Sequence, residues 1–360
     1  MEKNIKVFSL GLVTLILAIG AIVTYLGYTF VNSPARMDKQ EIVYEIPPSV
    51  SFATIAKDLQ EKGVVKNAQV FTLFAKFTGQ RSRIKVGEYA LNTNMKPSEV
   101  LDVITSGRSV ARQFTVSEGL NMFEIADLYE QKGFGKRDDF LKWVTDEKFI
   151  ESLLGEKYSS LEGYLYPETY QITKYTTTKE LLTSMVRRYQ SVYKEVTEKY
   201  PLQMMTPRQL VILASLVEKE TGSSDERPLI AGVFANRLQK KMMLQTDPTI
   251  LYGKAVMAGK LSMSITRDDL QNTKNPYNTY VIAALPPGPI SNPGRESLLV
   301  SLRPPETKYL YFVSKNDGTS LFSETYEEHQ KAVIRLQMNP KAREGKSWRD
   351  LKKTAPDKNK

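Results

Sequence analysis

The sequence predicts an α+β protein in which a single N-terminal transmembrane helix precedes a small α/β module and a larger mixed α/β domain. Three observations support this prediction. An uncharged apolar run occupies residues 7–31. Short strand-like segments bracket helical ones up to about Gly107, and helical periodicity dominates further on until a late pair of strands. Helical and strand periodicities therefore occur in one chain, which is typical of a mixed α and β class.

The apolar run at residues 7–31 is long enough to cross a bilayer, because a helix needs about 20 residues to span the hydrocarbon core. A cleavable signal peptide is the alternative, but its apolar region is usually only about 7–15 residues long, and no clear A-x-A site follows this run. Two lysines precede the run, and Arg36 and Lys39 follow it, so flanking charge alone does not fix the orientation. The short flank at residues 1–6 favours a cytoplasmic N-terminus, with the bulk of the chain outside.

The composition excludes several kinds of active site. The chain has no cysteine, and its only histidine is His329. Disulfides, thiol nucleophiles, thiolate zinc sites and sites that need paired histidines are therefore excluded. A Ser-His-Asp triad would need His329 as its base, but that residue lies in a polar stretch with a helical pattern, which favours a surface or packing role. Carboxylates, hydroxyls and amides remain for chemistry.

The net charge of +10 raises the question of nucleic-acid binding. Much of the excess lies in residues 340–360, which are rich in lysine and arginine and have few large apolar side chains. Such a segment is typical of a solvated basic tail. Anionic lipid head groups or an anionic cell envelope are sufficient partners for it, so we expect no nucleic-acid partner.

The segment at residues 32–40 is polar and is predicted to be a tether, and residues 41–108 are predicted to form a small α/β module. The predicted elements are a strand at Ile42–Ile46, helices at Ser51–Gly63 and Ala68–Thr78, a strand at Tyr89–Leu91 and a helix at Pro97–Gly107. Short strands that bracket two helices resemble the LysM-like modules that bind wall glycans. The resemblance is one of pattern and not of a sharp motif, and a spacer domain without a ligand explains the pattern equally well.

A larger domain is predicted at residues 109–339. Helical periodicity covers residues 122–131, 138–154 and 178–199. Strands are expected at residues 309–313 and 320–322, since Asn316-Asp317-Gly318 between them is a suitable hairpin turn.

A mostly apolar helix is predicted to begin at Thr206-Pro207 and to end at Gly222, which places Glu218 and Glu220 in its last turn. On a helical wheel both glutamates fall within the apolar arc. Burial disfavours the charged form of a carboxyl, so the pKa of either should rise, as general-acid catalysis of glycosidic cleavage requires. The wheel does not choose between the two glutamates. Alternatively, they merely finish a helix end where the wheel no longer predicts burial.

Five stretches resemble the endolytic murein transglycosylase family (MltG, YceG-like). They are residues 214–221 (ASLVEKET), 161–170 (LEGYLYPETY), 244–249 (LQTDPT), 277–280 (YNTY) and 285–290 (LPPGPI). In that family the glutamate that precedes Lys-Glu-Thr is catalytic, and it corresponds to Glu218. The departures are mild, because Tyr166 and Glu168 stand where many relatives have Phe and Asp.

The resemblance implies cleavage of the β-1,4 bond between N-acetylmuramic acid and N-acetylglucosamine within a glycan strand, without water. Glu218 would protonate the leaving O4 and then take the proton of the muramoyl 6-hydroxyl, which leaves a 1,6-anhydro end. Hydrolysis would need a second carboxylate about 5–9.5 Å away. Glu220 points about 160° from Glu218 on a helix, so Asp247 is the better candidate. A hydrolytic muramidase and a non-catalytic wall-binding scaffold are the alternatives.

Six residues are candidates for substrate binding because they combine amides, hydroxyls and flat aromatic faces: Gln245, Thr246, Asp247, Tyr277, Asn278 and Tyr280. Ordinary turn chemistry explains the first three equally well, and the tyrosines could cover a core edge. Glu162 lies in an aromatic stretch, where a packing role is favoured. The resemblance further implies peptidoglycan as substrate, the cytoplasmic membrane as location and wall synthases as partners, with no metal and no organic cofactor.

Overall fold

The computed structural model describes residues 2–202, 205–220, 224–262 and 264–338, with side chains from Thr14 onward. The chain forms two compact units. Unit 1 comprises Met1–Gln113 and Gln171–Thr176, and unit 2 comprises Phe114–Tyr170 and Thr177–Lys360. The predictions for Gly222 and for the basic tail at residues 340–360 lie outside the described residues.

Unit 1 holds the N-terminal helix and a small α/β fold. Its elements are α1 (Glu2–Asn32), β1 (Glu41–Ile46), α2 (Phe52–Glu61), α3 (Ala68–Phe77), a 3-10 turn (Arg81–Arg83), β2 (Gly87–Asn92) and α4 (Pro97–Ser106). The boundary between the units falls within a two-stranded sheet of β3 (Arg112–Thr115) and β4 (Thr169–Ile172).

Unit 2 is mainly helical. Its helices are α5 (Met122–Gln131), α6 (Arg137–Val144), α7 (Glu147–Leu154), α8 (Thr178–Lys199), α9 (Pro207–Glu220), α10 (Arg227–Gln239), α11 (Asp247–Ala258), α12 (Arg267–Gln271), α13 (Arg295–Leu302) and α14 (Tyr326–Val333). A 3-10 turn (Ser224–Glu226) precedes α10, a π-helical turn (Ile334–Met338) follows α14, and β5 (Tyr311–Ser314) and β6 (Ser320–Ser323) form a hairpin. The class is α+β with an N-terminal apolar helix, as the sequence predicts.

Helix α1 is apolar enough over Thr14–Asn32 to cross a membrane. Its last turn is attached to the rest of unit 1, because Phe30 packs against the core and the Ser98 hydroxyl donates to the Val31 carbonyl at 3.3 Å. The segment that follows α1 is also attached. The Arg36 N–H donates to the Thr93 carbonyl at 3.1 Å, and residues 37–40 make further hydrogen bonds to the turn after β2.

The core of unit 1 lies between its helices and a two-stranded antiparallel sheet. Strands β1 and β2 pair with Tyr44 opposite Tyr89, and both side chains are buried. The hydroxyl of Ser51 caps α2 by accepting from the Thr54 N–H, as the predicted helix start requires. Helix α4 ends in Gly107, whose φ of +76° places it in the left-handed region that closes helices. The strands and helices predicted for this region are confirmed to within a few residues.

Helix α9 is the central helix of unit 2. Every residue from Leu210 to Val217 is buried, and α9 contacts α10, α11 and α13. A helix that is apolar on all sides is surrounded by protein, which differs from the amphipathic arrangement that a helical wheel assumes. The last turn of α9, which carries Glu218, therefore ends inside the unit.

The helical periodicity at residues 138–154 is confirmed, and it belongs to two shorter helices. Helix α6 ends at Val144, and Asp146 begins α7 by accepting a hydrogen bond from the Phe149 N–H at 2.7 Å. An aspartate at this position favours a new helix start over a continuous helix, because it satisfies an N–H that has no partner within the helix. The helices predicted at residues 122–131 and 178–199 are confirmed as α5 and α8.

The hairpin near the end of the described chain agrees with its predicted turn. Asn316 and Gly318 both have positive φ, at +62° and +88°. His329 on α14 stacks on Tyr311 of β5, with the ring centroids 5.1 Å apart. The histidine therefore packs against the hairpin, which is the role that its polar helical context favours.

Gly253 in α11 provides a test of how closely this helix packs against the loop that begins at Asn275. A Cβ atom at Gly253 would lie 1.8 Å from Oδ1 of Asn275, and that oxygen accepts the Tyr277 N–H at 3.0 Å. We expect Gly253→Ala to lower the free energy of unfolding by about 1–3 kcal/mol, because the loop that begins at Asn275 must move. Thermal unfolding of the full chain in detergent measures the loss. The matched control is Val256→Ala on the exposed side of α11, and equal midpoints for the two variants would contradict the close contact.

Candidate active site

The side chain of Glu218 lies inside unit 2 at the end of α9 and is only 6% exposed. Its Oε2 accepts a hydrogen bond from the Gly294 N–H at 2.9 Å, and its Oε1 accepts one from Nη2 of Arg227 at 3.3 Å. The helical wheel suggested apolar surroundings for Glu218, but its carboxyl group also has polar neighbours. A nearby guanidinium and an N–H from a distant loop hold the carboxyl group in one position.

Two glycines leave room for this arrangement. A Cβ atom at Gly294 would lie 1.9 Å from a carboxyl oxygen of Glu118, so a side chain at position 294 would displace that carboxyl. Gly119 has a φ of +78°, and its Cα faces Glu218, since a Cβ there would lie 3.5 Å from Cγ of Glu218. The loops that contain Glu118 and Gly294 therefore approach Glu218 closely from two directions.

Glu118 is a second carboxyl group beside Glu218, and the sequence did not point to it. Its Oε2 lies 3.9 Å from Nη2 of Arg227, and its side chain is 49% exposed. Burial raises the pKa of Glu118, and the charge of Glu218 raises it further, whereas Arg227 lowers it. One guanidinium thus contacts Glu218 and lies near Glu118, and burial together with the neighbouring carboxyl favours a proton on Glu118.

Asn292 holds the two loops together. Its backbone N–H and its Nδ2 both donate to the Leu120 carbonyl at 2.9 Å, and its own carbonyl accepts the Gly119 N–H at 3.0 Å. Its Oδ1 accepts the Leu165 N–H at 2.8 Å. The loop before α13, the loop before α5 and the segment around Leu165 therefore meet at one buried amide.

Glu162 lies beneath Asn292 and is 1% exposed. Its carboxyl accepts hydrogen bonds from the Met122 N–H at 2.8 Å and from Nδ2 of Asn292 at 2.9 Å. Burial raises the pKa of Glu162 to about 8, although the Met122 N–H and the Tyr252 hydroxyl act in the opposite direction. Glu162 is therefore mostly protonated at neutral pH and supports the loops around Glu218 without reaching the surface.

Four of the six predicted substrate-binding residues come together in a second cluster. Gln245 is exposed with a φ of +53°, Thr246 is buried, and Asp247 begins α11 and accepts a hydrogen bond from the Tyr280 hydroxyl at 2.7 Å. The N–H groups of residues 245 and 246 both donate to Thr279, at 3.1 and 3.0 Å. Gln245, Asp247 and Tyr280 keep accessible surface for a ligand.

Glu220 belongs to this second cluster. Burial raises the pKa of Glu220 to about 7, and the Asp247 charge raises it as well, against the lowering effects of Thr246 and Arg237. The Thr246 hydroxyl lies near the carboxyl, but its geometry falls short of a full hydrogen bond. The two glutamates that the wheel could not distinguish therefore have different neighbours.

Tyr277 and Asn278 have internal roles. Tyr277 is 9% exposed and packs edge-on against Tyr252, with the ring centroids 4.9 Å apart, and burial raises its pKa to about 12. Asn278 is fully buried, and its Nδ2 donates to the backbone carbonyls of residues 269, 270 and 272. Its Oδ1 accepts the Tyr280 N–H at 3.0 Å. This geometry favours the alternative in which these two residues complete the core.

The buried carboxyl of Glu162 predicts a specific pH dependence of stability. Its pKa is raised from about 4.3 in an unfolded chain to about 8 in the fold. The protonated carboxyl of Glu162 therefore stabilises the fold fully at low pH, and this contribution is lost as the pH rises through 8. In Glu162→Gln one amide N–H would face another donor, which costs roughly 1–3 kcal/mol. We expect the variant to be less stable at pH 5 and the difference to narrow by pH 9.

Thermal midpoints of the full chain at several pH values test this expectation. Glu151→Gln, at an exposed position of α7, gives the baseline. A difference between the wild type and Glu162→Gln that stays constant from pH 5 to pH 9 would show that residue 162 does not hold a proton in the fold.

Comparisons with known proteins show the family of this chain. The model of the YceG-like family matches residues 44–335. An endolytic murein transglycosylase of Bacillus subtilis is 34% identical over 332 residues, which cover 88% of this chain and 90% of the relative. One from Streptococcus pneumoniae strain D39 is 30% identical over 344 residues and is longer, since the match covers 86% of this chain but 61% of that protein.

A solved structure is also similar. The crystal structure of a YceG-like protein from Listeria monocytogenes, at 2.6 Å, superposes with a TM-score of 0.54 at 34% identity. The match covers 82% of this chain and all of that one. The family model and the relatives cover most of this sequence, including α9 with Glu218 and both loops around it. The chain therefore belongs to the YceG-like family.

Proposed function

We propose that this protein is a lytic transglycosylase that cleaves peptidoglycan glycan strands internally, with Glu218 as its catalytic acid and base. The observation that carries the proposal is the carboxyl of Glu218, which is held by the Gly294 N–H and Arg227 within the family motif. Two relatives that span most of this chain are named endolytic murein transglycosylases, which supports the same reaction. The cleaved bond is the β-1,4 bond between N-acetylmuramic acid and N-acetylglucosamine.

The reaction needs one carboxyl group and no added water. Protonated Glu218 donates to the departing O4 while the C1–O4 bond breaks. The resulting carboxylate then takes the proton of the muramoyl C6 hydroxyl as O6 bonds to C1, and the product carries a 1,6-anhydro ring. The Gly294 N–H and the Arg227 guanidinium face the carboxylate that exists between the two steps, so they stabilise the charge where it develops.

Glu118 lies near the same guanidinium and places a second titratable group next to the proposed acid. Burial and the charge of Glu218 raise the pKa of Glu118, whereas Arg227 lowers it. A raised pKa favours a proton on Glu118, and this proton limits the negative charge around Glu218. We assign Glu118 a positioning role in which it tunes the charge around Glu218.

The proposed substrate contacts are assigned to those candidate residues whose side chains are accessible. Gln245, Asp247 and Tyr280 present polar atoms at the surface and suit hydroxyls and N-acetyl groups of the sugars. Thr246, Tyr277 and Asn278 are buried, and they act by holding those three in place. Asp247 already accepts from Tyr280, so a sugar hydroxyl would join or replace that hydrogen bond.

The domain organisation and location complete the proposal. Helix α1 anchors the protein in the cytoplasmic membrane, with residues 1–6 in the cytoplasm and the remainder outside, where the glycan substrate lies. Residues 41–108 form a LysM-like module. Its order of strand, two helices and strand supports this assignment, as does a cavity of about 210 Å³ lined by Phe52, Arg81 and neighbouring aliphatic residues. Residues 109–339 carry the catalysis, and wall synthases are the proposed partners.

Glu218→Gln should abolish cleavage while it preserves the fold, because glutamine can still accept the Gly294 N–H but cannot donate and retrieve an acidic proton. We expect a loss of about 10³-fold or more in rate. Purified full chain is incubated with nascent uncrosslinked glycan, and the products are identified by mass spectrometry. Glu198→Gln, at an exposed position on α8, serves as the control variant and should leave the rate unchanged.

The products also separate the alternative functions. Anhydro-ended fragments carry one water less than the reducing ends that a muramidase produces. Reducing ends from the unmutated protein would reject the transglycosylase in favour of hydrolysis. Glycan binding without any cleavage would favour the wall-binding scaffold, and undiminished cleavage by Glu218→Gln would remove this residue from the mechanism.

Glu118→Gln should lower kcat about 10- to 100-fold with little change in KM, since the group acts through Glu218. Because burial and the charge of Glu218 raise the pKa of Glu118, loss of the Glu118 proton should contribute to the alkaline limb of the kcat profile, and Glu118→Gln should change that limb. Rates across a pH series for the wild type, Glu118→Gln and Glu118→Asp measure both effects, and aspartate should restore part of the rate. A lower kcat with an unmoved pH profile would mean that Glu118 has only a structural role.

A further inference from the structure

Helix α3 has an apolar face that none of the described side chains of unit 1 covers. Val70, Leu73 and Phe77 follow each other at helical spacing along one side and are 38%, 51% and 82% exposed. We call these three residues the α3 face. On another side of the same helix Phe71 and Ala75 are buried in the core. A short helix that is apolar on two sides but buried on only one suits a second apolar contact.

The α3 face belongs to a helix that contacts α1, the proposed membrane anchor. Helix α1 contacts both α3 and α4, and it is fixed to the unit through Phe30 and Val31 in its last turn. The uncharged run that ends at Val31 exceeds the roughly 20 residues that a bilayer core requires. The end of this run, and the helices that touch it, therefore lie at the level of the membrane boundary.

Exposed cations lie on α3 and on either side of it along the chain. The exposed basic residues on α3 and next to its ends are Lys66, Lys76, Arg81 and Arg83. Among the residues that the structure describes, none of these four forms an ion pair. On α2, by contrast, Lys57 and Lys62 pair with Glu61 and Asp58. Unpaired cations beside an apolar face are the combination by which proteins bind the anionic head groups of a bilayer surface.

We propose that the α3 face inserts into the interfacial layer of the bilayer that holds α1, while the four cations bind anionic phospholipid head groups. The occupant is lipid and not a protein partner, because the α3 face shares its helix with the contact to the anchor. This second contact fixes the rotation of unit 1 about the axis of α1. The inference rests on the proposed membrane anchor.

The absence of cysteine from the chain allows a direct test with single-cysteine variants. The full chain is reconstituted into nanodiscs of phosphatidylcholine with and without phosphatidylglycerol, and a nitrobenzoxadiazole dye is attached at one position. Leu73→Cys and Phe77→Cys report on the α3 face. Leu17→Cys reports on the anchor, and Lys57→Cys, at an exposed position of α2, is the control.

Nitroxide lipids should quench the dye at positions 17, 73 and 77 about threefold or more, and the dye at position 57 only weakly. Replacing Lys76, Arg81 and Arg83 together by glutamate should reduce the quenching at position 73 in anionic nanodiscs and change it little in neutral ones.

Each failure has its own meaning. Quenching at position 17 without quenching at 73 and 77 overturns the membrane contact of α3 and leaves the anchor intact. No quenching at position 17 overturns the anchor and, with it, this inference. A dye at 73 or 77 that shifts to the blue with protein concentration, without quenching by nitroxide lipids, assigns the α3 face to a protein partner and rejects the lipid contact.

Discussion

The arrangement around Glu218 depends on the hydrogen bonds of one buried amide, that of Asn292. This residue joins the loop that carries Glu118 to the loop that carries Gly294, and the carboxyl of Glu162 supports it from below. Buried amide and carboxyl groups are costly unless they are satisfied, so this network tolerates few alternative geometries. The donors to Glu218 are therefore set by packing deep in unit 2 and not by α9 alone.

The fold was predictable where a segment has one apolar side and clear ends. Helices α5 and α8 each have an apolar stripe, and this periodicity predicted both helices. Each of them also begins with a capping box. Helices α10 and α11 were missed because their sequences lack a distinct polar side, so periodicity carries little information about them. Strands β3 and β4 were missed because they pair across a long stretch of sequence, whereas the equally short β5 and β6 flank a recognisable turn.

The candidate site was predictable only in part. Glu218 was identified from a motif that occupies consecutive residues. Glu118 and Gly294 were not, because they meet Glu218 through packing between distant segments, and spacing in the sequence does not record such contacts. Arg227 was missed with α10, the helix that it begins. The buried Asn278 shows a further limit, since an asparagine among tyrosines has the same composition whether its amide binds a sugar or satisfies backbone carbonyls.

The short stretch after α1 sets a fixed distance between the end of that helix and the small α/β fold of unit 1. Residues 36–40 are hydrogen-bonded along the turn after β2, so the connection between α1 and the small α/β fold is not a flexible linker. Under the proposed anchoring, any glycan that reaches unit 1 must pass within the thickness of a small domain from the lipid surface. This fixed distance would restrict unit 1 to glycan that lies close to the membrane, and glycan in the outer layers of the wall would stay beyond its reach.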